Sequence, residues 1–168
     1  FSVPSTFFLM RQNDKVFMTG NSGRSYTSLM RFLRWMHDPN TAAYAFRKNA
    51  TDMKGGGGLF EEAVNMFTTY NPKAEFTKSP MQIKMPHPSG DKRKHGATIS
   101  FIGMDGGSGK QAIQGKQITC AMVDEATHLS LDEVEWIISR LRTQAKEKDG
   151  VTPVKPSIWL TCNPEPDS

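Results

Sequence analysis

The chain has 168 residues, of which 37% are hydrophobic and 23% charged, a balance that predicts one folded domain rather than a disordered segment. Its net charge of +4 at pH 7 is compatible with a polyanionic partner but does not by itself identify one. No apolar run reaches the roughly 18 residues of a membrane-spanning helix, so no membrane association is predicted.

The N-terminal part of the sequence alternates strand and helix patterns. Residues 15–19 form a short β-type run that ends at Gly20, and from Ser25 onward apolar residues recur at helical spacing until Pro39. A second strand pattern follows at 42–47. The order strand, glycine-containing loop, helix and strand predicts a βαβ unit of a parallel sheet.

The middle of the chain predicts a helix followed by a β-hairpin. Four glycines at 55–58 indicate a flexible break before a helix at 59–70. Two runs of alternating polarity, 81–86 and 97–103, predict the two strands of the hairpin. The exposed tip of this hairpin carries three consecutive basic residues, Lys92, Arg93 and Lys94.

The last third of the chain predicts two strands with a long helix between them. An apolar strand at 118–126 ends in two acids, and a final strand is expected at 157–164. The helix is expected over 130–148, where Ser130 can cap its N-terminus and Glu133, three residues later, completes a capping box.

Both cysteines, Cys120 and Cys162, lie within apolar runs and do not form a C-x-x-C pair. Cysteines in such surroundings are typically buried, so both are predicted to be reduced, buried thiols of a cytosol-like compartment. The four histidines show no metal-ligand spacing around them, which argues against a zinc-type site.

Residues 18–25 follow the outline of a phosphate-binding loop, G-x-x-x-x-G-K-[ST] between a strand and a helix. In such loops the backbone N–H groups hold phosphates, the lysine adds charge and the hydroxyl binds Mg²⁺. Gly23 and Ser25 match the pattern, whereas Met18 replaces its first glycine and Arg24 its lysine. Because guanidinium is planar and bulkier than ammonium, the second replacement is not conservative at a tight site.

A second glycine-rich stretch, 104–111, contains a Gly109–Lys110 pair within a predicted loop over 103–116. Gln111 cannot bind Mg²⁺ as a hydroxyl does, and too few residues follow for the helical crossover that parallel strands require. The first stretch is therefore favoured. Two alternatives stay open, namely that the second stretch binds phosphate or that both are turns.

Polar residues end the two apolar strands of the C-terminal part. Placing Asp124 and Glu125 at the end of a core strand is costly unless the acids have a role. In nucleotide hydrolysis the first acid supports Mg²⁺ and the second orients or activates the attacking water. Thr161 and Asn163 could sense the γ-phosphate from the next strand end. The alternatives are an acidic helix cap at the first strand and an Asn-Pro turn at the second.

The order of these motifs resembles the ATPase domain of the large terminase subunit of tailed bacteriophages, the motor that packages DNA into procapsids. The likeness is carried by "GRSYTSLMRFLRW", "YAFRKN", "FIGMDGG…GKQI", "AMVDEATHLSLDEVEWIISRLR" and "WLTCNPEPDS". It implies an α/β P-loop NTPase of the RecA-like, additional-strand class (ASCE), with a mostly parallel sheet flanked by helices and here a β-hairpin insertion. Residues 1–168 would form one ATPase domain, expected to be a fragment that lacks the family's C-terminal nuclease domain and its nuclease activity.

The resemblance also implies roles for individual residues. Ser25 and Asp124 would hold Mg²⁺, and Glu125 and Arg24 would act in catalysis. The expected nucleotide-binding residues are Thr19, Gly20, Asn21, Ser22, Gly23, Arg24, Ser25 and Tyr26, with Phe7 and Phe8 in the place of the adenine-contacting segment. The expected coupling motif consists of Thr161, Cys162 and Asn163.

The resemblance implies ATP and Mg²⁺ as cofactors, and double-stranded DNA, a portal protein and a small terminase subunit as partners. The working motor would be a homo-oligomeric ring of subunits that are monomeric in isolation, in the host cytoplasm and docked on the procapsid. Because Arg24 is the only cation of the loop, a trans-acting cation from a neighbouring subunit is expected. Candidates for that role or for DNA contact are Lys110, Lys116, Arg140, Arg142, Lys92, Arg93 and Lys94. The alternative function is a degenerate phosphate-loop module that binds nucleotide or DNA with little or no hydrolysis.

Overall fold

A six-stranded mixed sheet with helices on both faces forms the centre of the molecule. The computed structural model describes residues 8–12, 15–19 and 23–162, with side chains from residue 25 onward. The strands are β1 (Phe8–Gln12), β2 (Lys15–Thr19), β3 (Ala42–Arg47), β4 (Glu75–Lys78), β5 (Met81–Lys84), β6 (Thr98–Gly103), β7 (Cys120–Val123) and β8 (Ser157–Leu160). The α-helices are α1 (Gly23–Phe32), α2 (Thr51–Lys54), α3 (Leu59–Tyr70), α4 (Ser108–Ala112) and α5 (Leu131–Ile138).

The strand order is β4-β5-β6-β3-β7-β8, and the four strands from β6 to β8 run parallel. β5 pairs antiparallel with β6, which confirms the predicted hairpin insertion. β4, which the sequence did not reveal, extends this antiparallel part at the edge. Its four residues are all exposed, and only one of them, Phe76, is apolar, so the segment shows no alternation typical of a half-buried strand. The mostly parallel α/β architecture predicted from the sequence is confirmed.

The core lies in two layers, one on each face of the sheet. Successive side chains of the central strand β3 point to opposite faces. Ala43 and Ala45 pack in the cluster that α1 and α3 cover, whereas Tyr44 and Phe46 pack in the cluster on the α5 side. Because parallel neighbours flank β3 and both of its faces are covered, its four central residues are all buried. No helix within the described residues is long and apolar enough to cross a membrane.

The predicted βαβ unit at the start of the chain is wrong in one respect. β2 pairs antiparallel with β1, from Phe8 opposite Thr19 to Gln12 opposite Lys15, and forms a separate two-stranded sheet. A very short connection favours antiparallel pairing between neighbouring segments, since a parallel crossover needs a dozen or more residues. The following helix α1 still packs on the main sheet, with Leu29 and Phe32 fully buried.

The predicted long helix over 130–148 is also wrong beyond Ile138. The capping box is present, since the Ser130 hydroxyl accepts from the Glu133 N–H and the Glu133 carboxylate accepts from the Ser130 N–H. After α5 the backbone pairs with the segment before β7: the Ile118 N–H donates to the Arg140 carbonyl at 3.0 Å. This pairing removes backbone groups that a longer helix would use, so tertiary hydrogen bonding overrides local helix propensity.

The structure also corrects the predictions for the glycine-rich loop, for Cys162 and for the end of the last strand. The glycine-rich loop over 103–116 contains a 3₁₀ turn and the short helix α4, which the Trp136 indole holds by donating to the Lys110 carbonyl at 3.2 Å. Cys120 is buried as expected, but Cys162 is exposed because β8 ends at Leu160, before the predicted end of that strand.

We predict that Gly103→Ala lowers the free energy of unfolding by about 2 kcal/mol, the usual range for overpacking. A Cβ at Gly103 would lie 2.5 Å from the Ala50 backbone nitrogen, so the segment after β3 would have to move. Urea denaturation measures the change. Gly56→Ala is the control, because a Cβ there meets no atom within 4 Å and should change stability by less than about 0.5 kcal/mol.

Candidate functional site

The register of three parallel strands brings a set of polar residues to one edge of the sheet. Phe46 of β3 lies opposite Val123 of β7, and Val123 lies opposite Leu160 of β8. The next residue of each strand is polar, namely Arg47, Asp124 and Thr161. Since parallel strands share their direction, these residues emerge side by side at the carboxyl edge, where ligands bind in open α/β sheets.

Asp124 is the centre of this group, and its residue surface is only 3% exposed. The Ser25 hydroxyl donates to Asp124 Oδ1 at 2.9 Å, and the Thr161 hydroxyl donates to the same oxygen at 2.7 Å. Arg47 Nη2 donates to Asp124 Oδ2 at 2.8 Å. The structure thus brings together Ser25, Asp124 and Thr161, three residues that the sequence had assigned to one site.

Glu125 continues the chain in a left-handed conformation, with φ 53° and ψ 50°. This region is costly for a residue with a Cβ, and such outliers concentrate at functional sites. The turn lets the next N–H, that of Ala126, donate to the Thr161 carbonyl at 2.8 Å. Glu125 Oε1 accepts from Arg47 Nη2 at 3.0 Å, while Oε2 lies 3.6 Å from His128 Nδ1. One carboxylate oxygen is therefore held by Arg47, and the side chain is still about a third exposed.

A pocket of about 280 Å³ opens beside Asp124 and is lined by Ser25, Arg47 and the four glycines 55–58. The sequence predicted these glycines as a flexible break, but they form a wall of the pocket. Gly58 cannot be replaced without displacing backbone, because a Cβ there would lie 2.6 Å from the Met53 carbonyl oxygen. Four consecutive glycines directly before a helix were the signal available in the sequence.

The pocket carries an excess of negative charge. Asp52, Glu62 and Asp124 line it, and Arg47 is the single cation among the described lining residues. Burial raises the pKa of Glu62, the charge of Asp124 raises it further, and Arg47 opposes the shift. An anionic ligand such as a nucleoside triphosphate would therefore need a cation at this site.

The oxygen donors around Asp124 fit a magnesium ion. Mg²⁺ is usually held by one or two carboxylates together with hydroxyl, water and substrate phosphate oxygens. The Ser25 hydroxyl and the Asp124 carboxylate already lie within hydrogen-bond distance of each other. In the described part of the chain no cluster of three His, Cys, Asp or Glu side chains could hold a metal, so water or phosphate oxygens would complete the coordination.

Lys48, the residue after Arg47, makes a different ion pair. Its Nζ donates to both oxygens of Glu133, at 2.8 and 3.1 Å, and so ties the end of β3 to the cap of α5. Burial raises the pKa of Glu133, but the hydrogen bonds from Lys48 and Ser130 outweigh it and hold the pKa below its ordinary value of 4.5. This pair is structural and lies outside the pocket lining.

Five of the remaining predicted nucleotide-binding residues lie within the described part of the chain. Gly23 and Arg24 begin this helix, Thr19 ends β2, and Phe8 begins β1. Tyr26 is 44% exposed. The predictions for Phe7, Gly20, Asn21, Ser22 and Asn163 lie outside the described residues.

The predicted trans-acting or DNA-contacting cations lie elsewhere on the molecule. Lys110 pairs with Asp132 of α5, and the Arg140 guanidinium lies 4.4 Å from the centre of the Trp136 ring. The second glycine-rich stretch is therefore packed against α5. The other five candidates, Lys116, Arg142, Lys92, Arg93 and Lys94, are exposed.

The fold and the strand-end site define an α/β domain of the RecA-like type. The structure of the large terminase from a thermophilic bacteriophage is similar, with a TM-score of 0.64 at 13% identity over 86% of this chain. The chain spans 32% of that terminase. None of the curated proteins matches the chain in sequence. Residues 16–168 match the family model for the N-terminal part of T4-like-virus-type large terminase subunits, and the chain belongs to this family.

We predict that Glu133→Gln lowers the free energy of unfolding at neutral pH by about 1 kcal/mol, because the amide can still accept from the Ser130 N–H but no longer pairs its charge with Lys48. Because the pKa of Glu133 is lowered in the folded state, its contribution is complete above the unfolded pKa and disappears as pH falls through the folded value. Urea denaturation from pH 7 to below 4.5 should show the variant and the wild type converging on acidification. The exposed Glu135→Gln serves as control, and an unchanged difference at all pH values would contradict the assignment.

Proposed function

We propose that this chain is the ATP-hydrolysing motor domain of a viral large terminase, which drives double-stranded DNA into the procapsid. Family membership supports a role in phage DNA packaging and ATPase activity in general. The observation that carries the finer proposal is the convergence of Ser25, Thr161 and Arg47 on Asp124, with Glu125 next to it.

The residues divide the chemistry between them. Ser25 and Asp124 would hold Mg²⁺, which supplies charge neutralisation of the phosphates when bound. Glu125 would orient the attacking water and accept its proton through Oε2, the carboxylate oxygen that Arg47 does not hold. The N-terminus of α1, with Gly23 and Arg24, would receive the phosphates, since a helix N-terminus presents unpaired N–H groups to anions.

Thr161 would couple the site to its neighbours. Its hydroxyl contacts Asp124, its N–H donates to Val123, and its carbonyl accepts from Ala126. A change at the carboxylate would therefore reach both β8 and the turn after Glu125. We propose that Thr161, Cys162 and Asn163 couple ATP hydrolysis to movement of the domain. The working motor would be a ring of subunits docked on a portal protein in the host cytoplasm, with a small terminase subunit as a further partner.

The distribution of charge supports a DNA partner. Residues 71–96 contain six basic and two acidic residues, so this segment alone carries the net +4 of the whole chain. Lys73, Lys84, Lys92 and Lys94 line a groove of about 640 Å³ there. The loop between β5 and β6 leads into the amino end of β6. It therefore lies at the opposite end of the parallel strands from Asp124, which follows the carboxyl end of β7. A basic groove separate from the nucleotide site suits a phosphate backbone.

We expect Glu125→Gln to reduce ATP turnover by at least about 10²-fold, because it removes the base that accepts the proton of water. Binding of a non-hydrolysable ATP analogue should persist. Phosphate release and calorimetric titration measure the two quantities, and Glu135→Gln is the charge-matched control. Equal turnover in the Glu125 variant would exclude this assignment. Analogue binding by a wild-type chain that shows no turnover would favour a degenerate nucleotide-binding module instead.

Replacing Lys92, Arg93 and Lys94 together by Gln should weaken binding to duplex DNA and flatten its dependence on salt. Each lost phosphate contact reduces the slope of log K against log salt by about 0.9. Fluorescence anisotropy over a salt series measures both effects. The control replaces the exposed Lys146, Lys148 and Lys155 by Gln and removes the same charge. Equal losses in the two triple variants would show that only net charge matters.

A further inference from the structure

Arg47, to which the sequence analysis assigned no role, makes three side-chain hydrogen bonds at the candidate site. Its Nη2 donates to Asp124 at 2.8 Å and to Glu125 at 3.0 Å, and its Nη1 donates to the Asp52 carbonyl at 3.1 Å. The side chain is only 17% exposed. One guanidinium group thus bridges both acids expected to serve the metal and the attacking water.

The arrangement differs from that of a structural ion pair. The neighbouring Lys48–Glu133 pair completes a helix cap and lies outside the pocket lining. Arg47 instead lines the pocket together with Ser25 and Asp124. Its Nε is buried without a hydrogen-bond partner in the described part of the molecule, so the protein does not satisfy all the donors of this guanidinium group.

A guanidinium and a divalent cation would compete for the same carboxylate. A divalent cation held by Ser25 and Asp124 Oδ1 would share one partly buried carboxylate with the guanidinium on Oδ2, and the two positive charges would repel each other strongly. A divalent cation arriving alone must therefore displace Arg47 and leave that charge without a partner. A cation arriving with phosphate oxygens gives Arg47 a new acceptor, because guanidinium pairs with phosphate as readily as with carboxylate.

We propose that Arg47 is a positioning residue that keeps the Asp124–Glu125 pair from taking a free divalent cation and releases it to a cation that brings phosphate. This inference rests on the proposed nucleotide site. It makes binding of metal and nucleotide mutually dependent, and the dependence is reciprocal by linkage. Arg47 also holds Glu125 Oε1, so its loss should leave the catalytic carboxylate less well oriented.

The test is titration of the chain with Mn²⁺ alone, followed by electron paramagnetic resonance. Arg47→Gln should bind Mn²⁺ at least about tenfold more tightly than the wild type, because a competing charge has been removed. Arg47→Lys keeps a charge but cannot bridge both acids, so its affinity should lie between the two. Lys48→Gln removes the same charge one residue away and should bind Mn²⁺ as the wild type does.

A second measurement adds a non-hydrolysable ATP analogue. In the wild type the analogue should raise Mn²⁺ affinity strongly, and in Arg47→Gln this enhancement should be smaller. The double variant Arg47→Gln, Asp124→Asn should not show the increased affinity for Mn²⁺ that Arg47→Gln shows without nucleotide. That result would place the bound Mn²⁺ at the Asp124 carboxylate. Unchanged or weaker Mn²⁺ binding by both Arg47 variants, with circular dichroism showing a native fold, would overturn the inference. Failure of the analogue to bind any variant would overturn the proposed nucleotide site, while the titration with Mn²⁺ alone still decides the role of Arg47.

Discussion

The buried carboxylate of Asp124 imposes the constraint on which the site depends. An ionised group removed from water is costly unless it is paired and hydrogen-bonded. Here the partners come from three different elements, with Ser25 from α1, Thr161 from the end of β8 and Arg47 from the end of β3. Satisfying one carboxylate therefore fixes a helix and three strand ends relative to one another.

The same constraint connects stability with function. The hydrogen-bond donors that keep a carboxylate buried would have to move if a cation took their place on it. Displacement of Arg47 would affect both acids, because it bridges Asp124 and Glu125. The basic groove between β4 and the loop before β6 lies at the amino ends of the parallel strands. Phosphate chemistry and polyanion contact would then occupy opposite ends of the parallel strands.

Local patterns were predicted well because they depend on neighbouring residues. The capping box of Ser130 and Glu133, the hairpin of β5 and β6 and the buried strand before Asp124 all formed as the sequence indicated. The helix prediction after Ser130 failed where distant backbone competed. The helix α5 stops at Ile138 because Ile118 takes up the hydrogen bonds of the following residues. Periodicity alone carries no information on such competition.

The sequence by itself determined the fold class and the kinds of chemical groups available, because apolar periodicity and polar strand ends are encoded over a few consecutive residues. It placed Ser25, Asp124 and Thr161 in one site through the order of their motifs. Only the tertiary structure decided that Arg47 holds both acids and that the glycines 55–58 line the pocket. Arg47 and Asp124 are 77 positions apart, and strand register alone makes them neighbours. The register of strands that are far apart in the chain depends on which of their side chains are buried together when the sheet packs.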